Sequence, residues 1–266
     1  MDKGATFRKL HEKIFIIPNP WDIGTAKFLA NAGFPALATT SAGYAFSRGK
    51  ADGAIPFDER IAHAREIVEA TALPVSADLE NGRGDSPESA AETIVAAEAV
   101  GLAGCSIEDS TGDPAKPIYD FSLAVERVAA AVEAKRKLGR DFVFTARAEN
   151  FLWGRPDLDD TIRRLQAFEE AGADVLYAPG LSDIETVRKV CSAVSRPVNV
   201  LAVPGFSLDA LREAGAIRIS LGSKLSTAAL GAVRRATQEM LATGSFEFAR
   251  DAMPFADLQK LFGAKA

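Results

Sequence analysis

Along the chain, short apolar runs alternate with longer stretches in which apolar residues recur every three or four positions. The short runs are Ile14–Pro18, Ala36–Ser41, Val75–Leu79, Gly104–Asp109, Phe142–Arg147, Val175–Pro179, Val198–Ala202 and Arg218–Ser223. Brief apolar runs bounded by turn residues predict buried strands, and the helical period between them predicts parallel β-α-β units rather than hairpins. Eight such units predict an α/β chain closed as a (β/α)8 TIM barrel, with residues 1–266 forming one catalytic domain. An open doubly wound sheet is the architectural alternative, because strand number alone does not enforce closure.

The helical stretches carry their own boundary signals. Ser86-Pro87-Glu88 offers a side-chain cap, a proline at the first helical position and an early acid, and Ser182 with Glu185 fits a capping box. The pairs Ala32-Gly33, Leu138-Gly139, Ala171-Gly172 and Ala214-Gly215 are expected to end helices through a left-handed glycine.

Composition narrows the function classes. Hydrophobic residues make up 47% and charged residues 25% of the 266, an ordinary globular balance that excludes a disordered chain. With a net charge of −5 and no long basic run, nucleic acid is not an expected partner. Lys135-Arg136-Lys137 and Arg163-Arg164 lie in helical patterns and read as solvated faces. No window supplies the ~20 apolar residues of a membrane span, and the charged start, Met1 to Leu10, has no apolar leader core. A soluble, unprocessed protein is expected. Cys105 and Cys191 form neither a disulfide framework nor a metal-ligand spacing, which suggests small buried residues in a reducing cytoplasm.

The informative polar residues stand where the predicted strands end, the place from which barrel enzymes build their sites. The second strand leads into Thr39-Thr40-Ser41-Ala42-Gly43, the third into Asp78-Leu79-Glu80, the fourth into Glu108-Asp109 and the fifth into Arg147-Ala148-Glu149. Acids gathered at one end of a barrel repel one another unless a cation sits among them. An all-oxygen donor set suits Mg²⁺ or Mn²⁺ rather than zinc. His11 and His63 fall away from every strand end and are expected to pack or face solvent. Ion pairing with Arg147 is the structural alternative for any one acid, but four successive strand ends agree. Gly82-Arg83-Gly84 reads as a turn, and no nucleotide-binding fingerprint is present.

These residues resemble the isocitrate lyase and phosphoenolpyruvate mutase superfamily of Mg²⁺-dependent barrels acting on 2-oxo acids. The resemblance rests on Pro18-Asn19-Pro20-Trp21-Asp22, Ala36 to Gly43, Ser76 to Gly84, Ile107-Glu108-Asp109 and Thr145 to Glu149, in that order along nearly the whole chain. It implies that Ser41, Ala42 and Gly43 bind the substrate carboxylate, with Ala42 acting through its backbone N–H. By the same resemblance Asp52 matches a catalytic aspartate, Asp78, Glu80 and Glu108 match the metal-binding acids, and Arg147 matches the arginine that clamps substrate. An arginine forks onto two oxygens in a way lysine does not reproduce.

Departures from the family pattern refine the expectation. Isocitrate-cleaving relatives carry a lysine-lysine-cysteine-glycine-histidine lid after the fourth strand; here Ser110 to Asp120 contains neither cysteine nor histidine. The lysine-and-asparagine lid of the phosphoenolpyruvate mutases is also absent, with Lys116 as a partial stand-in. Arg83 replaces a tyrosine or histidine, and Glu80 an aspartate. The expected activity is therefore a Mg²⁺-dependent lyase acting beside a 2-oxo-acid carbonyl through an enolate, carbon–carbon cleaving and similar to an oxaloacetate decarboxylase. A phosphonomutase or phosphonopyruvate hydrolase is the first alternative, and a non-catalytic dicarboxylate-binding barrel the second.

Beyond the eighth unit, Ser245 to Phe262 still carries Phe246, Phe248, Met253, Phe255, Leu258, Leu261 and Phe262. Leaving seven such side chains in water forgoes on the order of 10 kcal/mol. A C-terminal helix exchanged between subunits is expected, as the resemblance implies, within a homodimer or homotetramer. Folding of this segment under its own barrel is the alternative.

Overall fold

The computed structural model describes residues 2–263. Its strands are β1 (Phe15–Ile17), β2 (Leu37–Ala38), β3 (Val75–Asp78), β4 (Gly104–Glu108), β5 (Val143–Arg147), β6 (Val175–Tyr177), β7 (Val198–Leu201) and β8 (Arg218–Ser220). All ladders are parallel, and they run β1-β8-β7-β6-β5-β4-β3-β2. Pairing of the first strand with the last is what an open doubly wound sheet lacks. The seam between β1 and β2 is bridged without a ladder: Ala38 N–H donates to Pro18 O, and Asn19 Nδ2 donates to Thr39 O, both at 3.1 Å. Asn19 Oδ1 also accepts from the N–H groups of Leu221 and Gly222 at 2.8 and 3.0 Å, tying the end of β1 to that of β8. The eight strands thus form a nearly closed (β/α)8 barrel.

Helix α1 (Lys3–Leu10) precedes the barrel and was not foreseen from the sequence pattern. Its fully buried Phe7 clusters with Phe15, Ala103, Val143 and Val175 near the strand starts, so α1 covers the floor. Gly4 lies so close to Asp141 O that a Cβ would sit 1.8 Å from it, which fixes this residue as glycine. The helices that follow are α2 (Ile23–Asn31), α3 (Ser41–Ser47), α4 (Phe57–Glu69), α5 (Pro87–Ala99), α6 (Phe121–Arg136), α7 (Leu158–Ala171), α8 (Ile184–Ser192), α9 (Leu208–Glu213) and α10 (Lys224–Thr243). Their buried faces follow the helical period. On α7 these residues are Thr161, Arg164, Leu165 and Phe168, spaced to point one stripe at the sheet.

The boundaries differ from the sequence expectation in instructive ways. Every strand but β5, which ends at Arg147 as expected, stops before its expected end, and Ser41 opens α3, because Thr40 Oγ1 accepts from Gly43 N–H and caps the helix. Ser86 caps α5 with Pro87 at the first turn, as expected. For α8 the cap is Asp183 rather than Ser182: its carboxylate accepts from Thr186 N and Thr186 Oγ1, both at 2.8 Å. Gly172 ends α7 at φ 105°, whereas Gly139 has no positive φ and α6 ends earlier. Both histidines pack inside. His63 stacks on Tyr44 at 3.8 Å and His11 lies edge-on to Phe7 and Phe15. Cys105 is buried and Cys191 half-buried, and neither is bridged.

After α10 the chain forms a 3-10 turn (Glu247–Asp251) and helix α11 (Phe255–Gly263), which packs against α2. Large apolar side chains remain in water here: Leu241 is 84% exposed, Phe246 67% and Phe255 75%. No helix among the described residues is long and apolar enough to cross a membrane.

Candidate active site

At the strand C-termini a cavity of about 880 Å³ opens into the barrel mouth. Alternate strand residues point inward, and Ser76, Ser106, Asn199 and Ser220 make its lower wall polar. Above them stand five acids, Asp52, Asp78, Glu80, Glu108 and Glu149, and the cavity's cations are Arg60, Arg147 and Arg218.

Arg147 organises the acids. Glu108 on β4 is in register with Arg147 on β5, and β3 places Asp78 one strand further. The guanidinium lies 2.7 Å from Asp78 Oδ1 through Nη1, 3.0 Å from Glu108 Oε2 through Nη2, and 2.9 Å from Glu149 Oε1 through Nε. The Tyr177 ring stands 5.1 Å from its central carbon. Ser41 Oγ donates to Asp78 Oδ2 at 2.9 Å and to Asp52 Oδ1 at 3.3 Å.

The carboxylates titrate apart. Burial works against ionised Asp78, but Arg147 and the Ser41 hydroxyl outweigh it and hold the carboxyl below its ordinary value. Burial pushes Glu80 up to about 7 despite Arg60, and Glu149 up to about 7 despite Arg147. Glu108 is raised well above its ordinary value by burial. Asp52 is raised first by partial burial and then by the charge on Asp78.

Most expected site residues come together here: Ser41, Ala42, Asp52, Asp78, Glu80, Glu108 and Arg147 all line the cavity. Gly43 does not. It is buried behind the wall, with its N–H donating to Thr40 Oγ1 at 3.2 Å. The three expected metal acids share this cavity. Among the described residues no three acidic, histidine or cysteine side chains are already converged on a metal position. The reason is Arg147, which occupies the space between Asp78 and Glu108. Lys116 pairs with Asp120 at 2.7 Å and lies off the cavity wall, while Ser110, Thr111 and Gly112 of the same loop line it. That loop is irregular but internally bonded, with Ser110 bridged to Ile118 and Thr111 N–H donating to Pro117 O at 3.0 Å. Arg83 turns outward to Asp58 at 3.1 Å.

Two site residues were not assigned from sequence. Glu149 ended an apolar run like the other acids. Arg60 left a different trace, a charged residue on the stripe Phe57, Arg60, Ala64, Ile67 that α4 buries. Asp109 is structural: it pairs with Arg164 at 2.9 Å in the interior.

The residues fit a hard divalent cation. With every group ionised, five carboxylates face three guanidiniums, leaving two negative charges on the cavity wall. Glu80 Oε1 is buried and has no hydrogen-bond partner. Every side chain available as a ligand is an oxygen donor, the chemistry of Mg²⁺ or Mn²⁺.

Comparison with known proteins agrees with this architecture. The family model for phosphoenolpyruvate phosphomutase matches residues 7–241. A solved chain from Burkholderia cenocepacia J2315, described only as a lyase/mutase, is 52% identical, covers 98% of this chain and 96% of its own, and superposes with a TM-score of 0.96. An uncharacterized protein of Mycobacterium tuberculosis H37Rv is 32% identical over 96% of this chain and 95% of its own length. The structure of 2,3-dimethylmalate lyase is 26% identical, with a TM-score of 0.86 over 99% of this chain and 95% of its own.

Proposed function

The chain belongs to the phosphoenolpyruvate phosphomutase family, within the phosphoenolpyruvate mutase/isocitrate lyase superfamily, and from that premise we propose that it is a Mg²⁺-dependent lyase that breaks a carbon–carbon bond beside a 2-oxo-acid carbonyl. The observation that carries this reading is the all-oxygen donor set at the barrel mouth, five carboxylates in one cavity with Glu80 Oε1 buried and unpartnered. Asp78 is the principal ligand we assign, with Glu80 and Glu108 completing the set directly or through water. When bound, the cation supplies Lewis-acid stabilisation of the charge that develops on the 2-oxo oxygen.

This chain's own residues do the rest. Arg147 offers a planar fork to an enolate or carboxylate oxygen once substrate competes for its acids. We assign Ser41 Oγ and the Ala42 backbone amide to the 2-oxo carboxylate, with Asp52, 3.3 Å from Ser41 Oγ, orienting that hydroxyl. Leu152 and Trp153 give the wall an apolar side on which a C3 substituent can rest. Ser110, Thr111 and Gly112 close the remaining side with no titratable side chain. That favours a reaction needing no acid at the leaving carbon, as in decarboxylation of a 3-carboxy-2-oxo acid.

The family model's own description favours a second reading, carbon–phosphorus chemistry on a phosphonopyruvate-like substrate. One panel separates them: pyruvate release with Mg²⁺ from oxaloacetate, phosphonopyruvate and substituted malates, with phosphoenolpyruvate formation also followed for phosphonopyruvate. Turnover of the phosphonate alone transfers the assignment to the second reading, and no turnover across the panel overturns both. The partners we assign are a small 2-oxo acid or dicarboxylate and further copies of this chain. The apolar surface left on α10 and α11 supports a homodimer or homotetramer, and the two unbridged thiols support a cytoplasmic setting.

A further inference from the structure

Among the described residues, Glu80 is the one non-glycine residue with a left-handed backbone, at φ 53°. A side chain there costs on the order of 1 kcal/mol and persists only where its surroundings over-determine it. Arg60 is what does so. Reaching in from α4, it donates from Nη1 to Leu79 O at 2.9 Å and from Nη2 to Gly82 O at 3.1 Å, gripping the chain on both sides of Glu80. The same Nη1 lies 2.7 Å from Glu80 Oε2. With Oε2 taken, Oε1 is left buried and unpartnered. Arg60 Nε is also without an acceptor, so the guanidinium is placed for this loop at the expense of its own saturation.

We propose that Arg60 is a positioning residue for the divalent cation: it turns Glu80 so that one defined oxygen, Oε1, is presented to the ion. The inference rests on the metal-dependent reading above, and it explains how an acid one methylene longer than aspartate is accommodated. A bare counter-charge role makes the opposite prediction. Compared at a pH high enough to keep Glu80 ionised in every variant, removing a mere counter-charge tightens cation binding, because a guanidinium repels a divalent ion, whereas removing a positioning group weakens it.

The test is titration of Mn²⁺ into the substrate-free protein, by calorimetry or electron paramagnetic resonance. Second-layer partners of metal ligands are typically worth about 10- to 100-fold in affinity, and a loss in that range is expected for Arg60→Gln. Arg60→Lys is expected to fall between it and the wild type, since an ammonium keeps the charge but not the fork. In a Glu80→Gln background, Arg60→Lys should change nothing further, a result that general loosening of the fold does not produce. Unchanged or tighter Mn²⁺ binding in Arg60→Gln, with the wild type titrating normally, overturns the positioning role. Should Arg60→Gln fail to fold, Arg60→Lys decides alone, and wild-type affinity in it overturns the proposal. A wild-type protein that takes up no Mn²⁺ overturns the metal reading itself, and this inference with it.

Discussion

Glu80 ties the protein's stability to pH in a direction that can be worked out. An ordinary glutamate titrates at 4.5 and this one at about 7 when folded, so the native state holds a proton that the unfolded chain has released. The stabilisation is full at low pH and is lost as pH rises through about 7. Between about pH 5.5 and pH 8 the loss from this one group is about 2 kcal/mol. At roughly 2–4 °C per kcal/mol for a chain of this size, that is a fall of about 4–8 °C in melting temperature. The raw melting curve is not diagnostic, because His11 and His63, pushed down by burial to about 3 and about 4, act in the opposite sense over the same window. The assay is therefore a difference: wild type minus Glu80→Gln, melted at both pH values without divalent ions. Glutamine stands in for the protonated acid, so the variant should be relatively more stable at pH 8 by the stated amount. Saturating Mg²⁺ binds the ionised form, so it should raise the wild-type melting temperature more at pH 8 than at pH 5.5. A difference that stays flat between the two pH values, with a Mg²⁺ effect equal at both, refutes the argument.

Asp78→Ala should fold and lose metal-dependent turnover; full activity in a pyruvate-release assay ends its assignment as principal ligand. Arg164 joins Asp109 and Asp160 at 2.9 and 2.7 Å in the interior, so Arg164→Met should cost about 3–5 kcal/mol in urea unfolding, and a loss below about 1 kcal/mol contradicts that buried pairing. The loop Ser110 to Asp120 should act as a mobile lid, its amides exchanging with deuterium faster in the free protein than with Mg²⁺ and oxalate bound; equal protection in both states counts against it. Light scattering at micromolar concentration should give a dimer or tetramer that dissociates on deleting residues 245–266, and a 28.2 kDa monomer rejects the assembly.

The barrel was legible because its strands are covered on the outside by helices, which forces short apolar runs into the sequence at a regular spacing. The strand ends were not, and for a related reason. Thr40 and Ser41 look like the polar tail of a strand, yet Thr40 turns the chain by capping α3, and that choice depends on one side-chain hydrogen bond rather than on a pattern. Helix α1 escaped because a charged octamer carries little periodic signal, and its role rests on Phe7 and on a glycine pressed against Asp141.

The acids of the site were readable for an energetic reason: a carboxylate closing an apolar run is costly unless something uses it. Residue types do not reveal what balances them. Arg147 contacts three acids at once, so the acids that read as a metal site also hold a guanidinium. On the metal-dependent reading proposed above, the two roles of these acids are linked by charge. Removing Arg147 from its acids toward a substrate oxygen leaves Asp78 and Glu108 buried and uncompensated, and a divalent cation among them offsets that cost. On that reading cation and anionic substrate each lower the penalty of binding the other, and burial, which raises Glu80, Glu108 and Glu149, acts in the same direction by disfavouring full ionisation of the acids.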